Sequence, residues 1–302
     1  MTTVAVRGAL AVHPGALGDV LLAIPALRVL RARHAAVTLA ARAHIAELVA
    51  ALGEADAVRD FESLRFEALF SGAADAALPD VEHVVCWFGS RDPDFSRRLR
   101  TQVASAVVAP SAASGVVWEH LIASCGGGPD GERRAPAVVS AASAAAGRAA
   151  LLASGWDGRR RLVMVQPGAG GASKRWPAEG FAAVLDGLAE RRDVAVVLHE
   201  GPADRDAVDA LAVRLPHALR LREPALTTLA GALRHAAVYV GNDSGVSHLA
   251  ATIGTPAVVL FAAANRAWVP WAREPAVLEV ALAHADARDV TSVREALERR
   301  LG

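Results

Sequence analysis

The stretch AVYVGNDSGVSHLAATIGTPAVVLF, residues Ala237 to Phe261, decides the fold of this chain. A run of β-branched and aromatic residues ends at Gly241, a helical segment begins at Asp243 or Ser244, and a second strand-like apolar run follows. This order of strand, loop, helix and strand predicts a parallel sheet. The loop between the first strand and the helix then lies at the carboxyl edge of that sheet.

The loop Asn242-Asp243-Ser244-Gly245 has the features of an anion site. Unpaired backbone N–H groups and the positive end of the helix dipole meet there. His248 follows Ser244 by one helical turn and points back toward the same loop. The alternative is an ordinary helix cap with a hydrogen-bonded core histidine. A second phosphate-binding element elsewhere in the chain would favour the anion site.

Composition narrows the class of protein. The 302 residues are enough for two domains, and the 32 basic and 32 acidic residues cancel, which argues against a nucleic acid or an anionic membrane held by bulk charge. The two cysteines, Cys86 and Cys125, offer neither a disulfide framework nor a zinc-binding spacing. Because we find no signal-peptide layout and no membrane-spanning apolar run, we expect a cytoplasmic protein.

One basic residue differs from all the others. Every basic residue is an arginine except Lys174. A compact ammonium and a planar guanidinium are not interchangeable, so Lys174 is a candidate for a role that arginine cannot fill. The alternative is that this one lysine has been kept by chance. Lys174 also ends a glycine-rich loop, 167–174, between a strand and a helix, where a phosphate-contacting lysine is expected, although the spacing is not that of a Walker loop.

The N-terminal half repeats the same pattern. A strand over residues 4–12 leads into a turn with Gly15 and Gly18, and Asp19 begins a helix, where it could be no more than a cap. The dinucleotide fingerprint GxGxxG is absent. Strands and helices then alternate, which predicts a parallel, doubly wound sheet. Arg91, with three arginines on the helix that follows it, could line an acceptor cleft or lie on a solvated helix face.

The clearest break in the chain is CGGGPDGERRAP, residues 125–136. Its glycines, prolines and mixed charges leave little to bury, so we place a linker there or just after it, between domains 1–140 and 141–302. The last helix, 293–301, could pack back on the N-terminal domain. In the second domain Asp204 follows a strand, where it could accept hydrogen bonds from ribose hydroxyls or serve a helix dipole.

With these motifs assembled, the sequence resembles glycosyltransferase family 9, the ADP-heptose lipopolysaccharide heptosyltransferases and their relatives. The resemblance covers nearly the whole chain and is carried by four motifs, GALGDVLLAIPALRVLR, SKRWP, GPADRD and GNDSGVSHLAATIGTP. It implies a GT-B α/β architecture: two Rossmann-like, doubly wound domains that face a cleft, with the acceptor on the N-terminal side and the nucleotide-sugar on the C-terminal side.

The resemblance also implies a chemistry. A heptose or related sugar would pass from a nucleotide-sugar, ADP-heptose above all, to a cell-envelope glycolipid or another glycan, with inversion and with neither metal nor cofactor. Asp19 would be the general base. Matching positions assign the donor to Ser173, Lys174, Asp204, Asp243, Ser244, Gly245 and His248, and the acceptor side to His13, Gly18 and Arg91.

Three departures from the family pattern have consequences. The family often has a basic residue where His13 stands, so that contact would be weakened or would depend on pH. Glu200 and Ala262 replace glycines, which affects how closely the backbone approaches the nucleotide. We further expect a monomer that binds no nucleic acid and makes at most peripheral contact with the inner face of the cell membrane.

Two other functions remain open at this point. A nucleotide-sugar epimerase of similar architecture would need no acceptor, and a nucleotide-sugar binding protein would keep the pocket without turnover. A Rossmann dehydrogenase fits worst, because the fingerprint glycines and the acid that closes the second strand are both missing.

Overall fold

The computed structural model describes residues 8–188, 190–273 and 275–302. These form two compact units: unit 1 runs up to Ala135 and unit 2 starts at Pro136. Residues 4–7 of the predicted first strand lie outside the described part. Within that part, every helix is too short or too polar to cross a bilayer.

Unit 1 contains a five-stranded, entirely parallel sheet. The strand order is β3-β2-β1-β4-β5, so the chain winds outward from β1 in both directions. The strands are β1 (Gly8–Val12), β2 (Val37–Ala41), β3 (Ala57–Asp60), β4 (Val81–Cys86) and β5 (Ser105–Val108). The helices are α1 (Leu17–Leu22), α2 (Ile24–Arg31), α3 (Ala43–Ala51), α4 (Glu67–Ser71), α5 (Pro93–Gln102) and α6 (Val117–Ser124).

Unit 2 contains a six-stranded parallel sheet in the order β11-β10-β9-β6-β7-β8. Its strands are β6 (Arg161–Gln166), β7 (Val194–Glu200), β8 (Leu219–Arg222), β9 (Ala236–Asn242), β10 (Ala257–Phe261) and β11 (Ala276–Glu279). Its helices are α7 (Ala141–Ala153), α8 (Ala178–Leu185), α9 (Arg205–Ala212), α10 (Leu226–His235), α11 (Gly245–Thr252) and α12 (Ala287–Leu301). The predicted α/β class, with two doubly wound parallel sheets, is therefore confirmed.

The central strands of both sheets are mostly apolar because helices cover both faces. In β1 the side chains from Ala9 to Val12 are all buried, and the same holds for every residue of β10. The predicted pattern of strand, loop and helix at 237–261 is confirmed as β9, α11 and β10, with Ser244 as the N-cap of α11.

Helices α7 and α10 of unit 2 approach at the backbone. A methyl group on Gly231 would overlap the carbonyl of Ser143, and a methyl group on Gly147 would overlap the Gly231 backbone. The alanine-rich composition of α7 therefore has a packing purpose, since small residues allow this close approach.

Most of the stretch in which we placed the linker, residues 125–135, is hydrogen-bonded to the rest of unit 1. Nη1 of Arg28 donates to the carbonyls of Arg133 and Ala135 at 2.8 and 2.7 Å, and Arg33 donates to the carbonyls of Cys125 and Gly126. Arginines on and just after α2 thus satisfy backbone oxygens of the stretch where we placed the linker. The units divide after Ala135, and α7 begins at Ala141.

The C-terminal helix α12 packs in the core of unit 2. Its apolar face, Val293, Ala296, Leu297 and Leu301, is buried in the same cluster as residues of α8, β9 and β10. The last helix, which we considered as packing back on the N-terminal domain, thus packs on unit 2.

Candidate functional site

Each sheet reverses its winding direction at one point, and all the predicted site residues except Asp204 follow the strands on either side of it. In unit 2 the reversal lies between β6 and β9, where Gln166 is paired with Gly241. Ligands of doubly wound sheets bind outside the carboxyl ends of the strands at this reversal. The loop with Lys174 follows β6 and the loop with Asp243 follows β9, so the fold brings the two phosphate-suited loops together.

The two loops are joined by an ion pair. Nζ of Lys174 donates to Oδ2 of Asp243 at 2.9 Å, and Asn265 Nδ2 donates to the same oxygen at 3.0 Å. The carboxylate side chain is 5% exposed, whereas the lysine side chain is 42% exposed. Nε2 of His248 lies 3.9 Å from the other oxygen, Oδ1. The lysine ammonium thus donates one of its protons to Asp243, while the side chain stays partly open to solvent.

Asp243 remains an anion in this setting. Burial alone would raise its pKa, but the interactions with His248 and Lys174 outweigh burial and hold the pKa below its usual range. An anionic carboxylate does not bind phosphate directly. Asp243 therefore holds the Lys174 ammonium in place through one oxygen, and the buried ring of His248 lies near the other oxygen.

The start of α11 is built by a short network of hydroxyl groups. Oγ of Ser244 accepts from the backbone N–H of Ser247 at 3.3 Å, and Ser247 in turn donates to the carbonyl of Asn242. The N-cap interpretation and the anion-site interpretation are therefore compatible, because a capped helix N-terminus still has backbone amides without a partner in the helix. Gly245 is the first residue of the helix, and Ser173 lies exposed in the turn before Lys174.

Asn242 is a residue whose role sequence reasoning missed. Its Oδ1 accepts from the backbone N–H of Trp176 at 3.0 Å, and its Nδ2 donates to the carbonyl of Pro167 at 2.8 Å. One buried amide thus ties both ends of the glycine-rich loop to β9. The signal in the sequence was an amide residue at the end of an apolar run, directly before Asp243.

Asp204 is buried in a polar chain at the ends of β6 and β7. Its Oδ2 accepts from Gln166 Nε2 at 2.8 Å and from the backbone N–H of Gly201 at 3.1 Å, while Oδ1 adjoins Gly168. Nδ1 of His199 donates to Oε1 of the same glutamine. Burial lowers the pKa of His199 to about 4, so this histidine is neutral near pH 7.

The two replaced glycines have different surroundings. Glu200 ends β7 with a carboxylate that is 4% exposed, and its nearest cations are Arg222, Arg220 and Arg205, at 3.4, 3.7 and 3.9 Å. Glu200 therefore fills this place with a buried carboxylate near three more exposed arginines instead of bare backbone. Ala262 lies half-buried directly after β10.

The reversal of the unit 1 sheet lies between β1 and β4, and Asp19 follows β1. Asp19 is the third residue of α1, half-buried, and its Oδ2 accepts from the backbone N–H of Ala16 at 3.2 Å. The helix-cap interpretation is thus correct as a description of local structure. Its other carboxylate oxygen has no hydrogen bond among the described residues, which leaves it available to a substrate.

The side chain of His13 is buried beside Asp19. The N–H of Gly15 donates to Nδ1 of His13 at 3.2 Å, which places the ring proton on Nε2, an atom that is buried without a partner among the described residues. Burial lowers the pKa of His13 to about 4, against a smaller opposing effect of Asp19. The basic contact of the family is therefore replaced by a neutral one near pH 7. A methyl group on Gly15 would strike both His13 and Asp19, so this glycine separates them.

The arginines after β4 have different partners. Arg97 pairs with Asp94 at 2.6 Å, and Arg98 donates to the carbonyls of Leu69 and Phe70. Arg91 instead lines a cavity at the ends of β4 and β5. Gly18, the second residue of α1, is half-buried and adjoins Asp19. Across the described ranges, no three His, Cys, Asp or Glu side chains converge in a way that could hold a metal ion.

A comparison with known proteins identifies the sequence family. Residues 129–297 match the model of glycosyltransferase family 9 (heptosyltransferase). A stretch of 122 residues is 36% identical to lipopolysaccharide heptosyltransferase 3 of Escherichia coli and covers 37% of this chain. The match spans about a third of the curated relative, 34% of its length.

Solved structures match along the whole chain. A glycosyl transferase of family 9 from Veillonella parvula superposes with a TM-score of 0.77 at 18% identity, covering 98% of this chain and 97% of its own. The E. coli ADP-heptose lipopolysaccharide heptosyltransferase II gives a TM-score of 0.73 at 18% identity, covering 97% and 98%. At this level of identity the likeness shows the fold alone, and the predicted GT-B class is confirmed by it.

Proposed function

Because this chain belongs to glycosyltransferase family 9, we propose that it transfers a heptose or a related sugar from an ADP-linked donor to a hydroxyl group of a cell-envelope glycan, with inversion and without a metal ion. The observation that carries the proposal is the ion pair of Lys174 and Asp243 at the reversal point of the unit 2 sheet. The motif-rich half of the chain is the half that matches the family.

The donor diphosphate is assigned to unit 2. An ammonium has three protons, and Asp243 takes one from Lys174, which leaves two for phosphate oxygens. The N-terminus of α11 adds backbone amides and the positive end of the helix dipole. A leaving diphosphate gains negative charge in the transition state, and fixed positive groups stabilise that charge. Oδ1 of Asp204, beside Gly168, is the oxygen left for a ribose hydroxyl.

Asp19 is assigned the role of general base. It would take the proton from the acceptor hydroxyl as that oxygen attacks the anomeric carbon and the bond to the diphosphate breaks. A positioned base typically contributes about a hundred- to ten-thousand-fold in rate. Residue 19 lies outside the range that matches the family model, so this assignment rests on the GALGD motif and on the position of Asp19 at the reversal point of unit 1.

The test combines transfer with binding. The protein is incubated with ADP-heptose and heptose-deficient lipopolysaccharide core, and the anomeric configuration of the product is read by NMR. We expect Asp19→Ala to abolish transfer while ADP affinity, measured by calorimetry, stays within about twofold of the wild type.

Three results would contradict the proposal. Equal loss of ADP binding in Asp19→Ala would make Asp19 structural. Isomerisation of the donor sugar without an acceptor would favour an epimerase. A chelator that abolishes transfer would refute metal independence.

A further inference from the structure

Unit 1 contains a cavity of about 580 Å³ at the carboxyl ends of β4 and β5. It is lined by residues 87–93, residues 110–112 and Phe70. A volume of this size lies in the range of small-molecule sites, which are mostly apolar with a few placed polar groups. The cavity adjoins the reversal point between β1 and β4, where the fold class places its ligands.

Phenylalanine rings form one wall of the cavity. The rings of Phe70 and Phe88 meet edge to face at 5.6 Å, and each also packs on Phe95, at 4.8 and 5.7 Å. Phe61 and Phe66 continue the cluster. Five of the seven phenylalanines of the chain are thus gathered here, although aromatic residues make up only 5% of it.

The backbone that carries the exposed ring of this cluster is anchored by Arg98. Phe70 is 40% exposed, and Arg98 donates to its carbonyl at 2.8 Å and to that of Leu69 at 2.6 Å. Gly89 has a φ of +70° and lies directly against the ring of Phe95, which only glycine allows. The backbone that carries Phe70, one of the lining rings of the cavity, is therefore anchored.

The charges that line the cavity cancel. Arg91 is its one cation and Asp92 its one anion among the lining residues, and Asp92 is also the N-cap of α5. Sites that bind carboxylate or phosphate use charged donors, with arginine forks the common choice. Here a single arginine stands next to a carboxylate, so the cavity does not favour a polyanion.

One lining residue of the cavity lies near the proposed base. Trp87 lines it and packs against His13, with ring centroids 5.7 Å apart, and His13 is separated from Asp19 only by Gly15. One wall of the cavity therefore lies a short series of side-chain contacts from Asp19.

We propose that this cavity binds an uncharged sugar ring of the acceptor, packed by its apolar face on Phe70 and Phe88. Aromatic faces suit the C–H groups of such a ring, and Ser90, Ser111 and Arg91 are placed to meet its hydroxyls. The proposal rests on the proposed transfer activity, and it names an uncharged sugar, and not an anionic one, as the acceptor unit at this site.

The test measures sugar binding to the full chain by saturation-transfer NMR. The probes are the methyl glycosides of glucose, galactose and mannose, each beside its uronate and its 6-phosphate. We expect at least one uncharged glycoside to bind at least as tightly as its charged counterparts. Tenfold tighter binding of a uronate or a phosphate, or no binding of any uncharged glycoside, would overturn the proposal.

Two variants identify the binding surface. Phe70→Ala should weaken uncharged-sugar binding about three- to tenfold, and Phe70→Trp, which keeps a ring, should restore it. Val213→Ala, which truncates an 81% exposed apolar side chain in unit 2, is the control and should change nothing. If Phe70→Ala binds sugar as the wild type does, the cavity is not the site.

ADP titrated into the same samples separates the two proposals. Phe70→Ala should leave ADP affinity unchanged. Normal ADP binding together with absent sugar binding would overturn the cavity assignment alone, whereas sugar binding without ADP binding would overturn the donor site of the proposed function.

Discussion

Replacing Lys174 tests the donor site most sharply. Lys174→Met removes the ammonium but keeps much of the side-chain length, and Lys174→Arg keeps the charge but changes its shape. The two variants separate a need for positive charge from a need for lysine itself. Every other basic residue in the chain is already arginine.

The magnitude for Lys174→Met follows from the contacts. A charged hydrogen bond to the diphosphate is worth about 1.5–3 kcal/mol, so ADP affinity should fall roughly 10- to 150-fold. Removing one partner of a fully buried ion pair costs about 3–5 kcal/mol, but this lysine is 42% exposed and Asn265 remains on Asp243. We therefore expect a smaller loss of stability, about 1–2 kcal/mol.

Lys174→Arg should give a different result. The guanidinium can still pair with Asp243, so stability should stay near that of the wild type. Its planar fork cannot place single protons as a compact ammonium does, and ADP affinity should still fall several-fold.

The measurements are calorimetric titration with ADP and denaturant unfolding of each variant. Arg191→Met is the matched control, because its side chain is 44% exposed and pairs with Asp193 just before β7, at the opposite edge of the sheet. It should change ADP affinity less than twofold. Unchanged ADP affinity in Lys174→Met would remove Lys174 from the donor site, and unchanged affinity in Lys174→Arg would show that the lysine survives by chance.

Two further predictions concern stability. Gly231→Ala places a methyl group on the Ser143 carbonyl and should lower the free energy of unfolding by about 1–3 kcal/mol. The control Gly170→Ala adds a methyl group in open space and should change it by no more than about 0.5 kcal/mol. Equal effects in denaturant unfolding would refute the close contact of α7 and α10. His13 and His199 have lowered pKa values of about 4, so the unfolded chain binds their protons first, and the stability they give is full above pH 6.5 and is lost as the pH falls toward 4. At pH 5 each histidine should lower the free energy of unfolding by about 2 kcal/mol relative to pH 7. Replacing each histidine with asparagine should flatten this pH dependence in urea unfolding. An unchanged slope would place the pKa values near 6.5.

The sequence predicts the elements that depend on local pattern. The units around Asp19, Lys174 and Asp243 all follow one rule, an apolar strand followed by a glycine-containing turn and a capped helix, and each was found for that reason. The reversal points follow from the strand order, which the alternation of strands and helices indicates without fixing.

What the sequence did not predict depends on contacts between distant residues. Stretch 125–136 has the composition of a linker, and only Arg28 and Arg33, about a hundred positions away, show that it is bound. The role of Asn242 depends in the same way on carbonyl and amide groups of the β6 loop. The phenylalanine cluster was missed because α4 and the turn before it have no clear periodicity.

The attachment of the glycine-rich loop to Asn242 has a consequence for ligand exchange. A loop fixed at both ends by one buried amide can change shape only between its anchors, so closing it on a nucleotide orders few residues and loses little conformational entropy. Lengthening the segment between Gly168 and Lys174 by one residue would leave both anchors intact. It would slow the capture of the nucleotide through added loop freedom, without disturbing the fold that carries it.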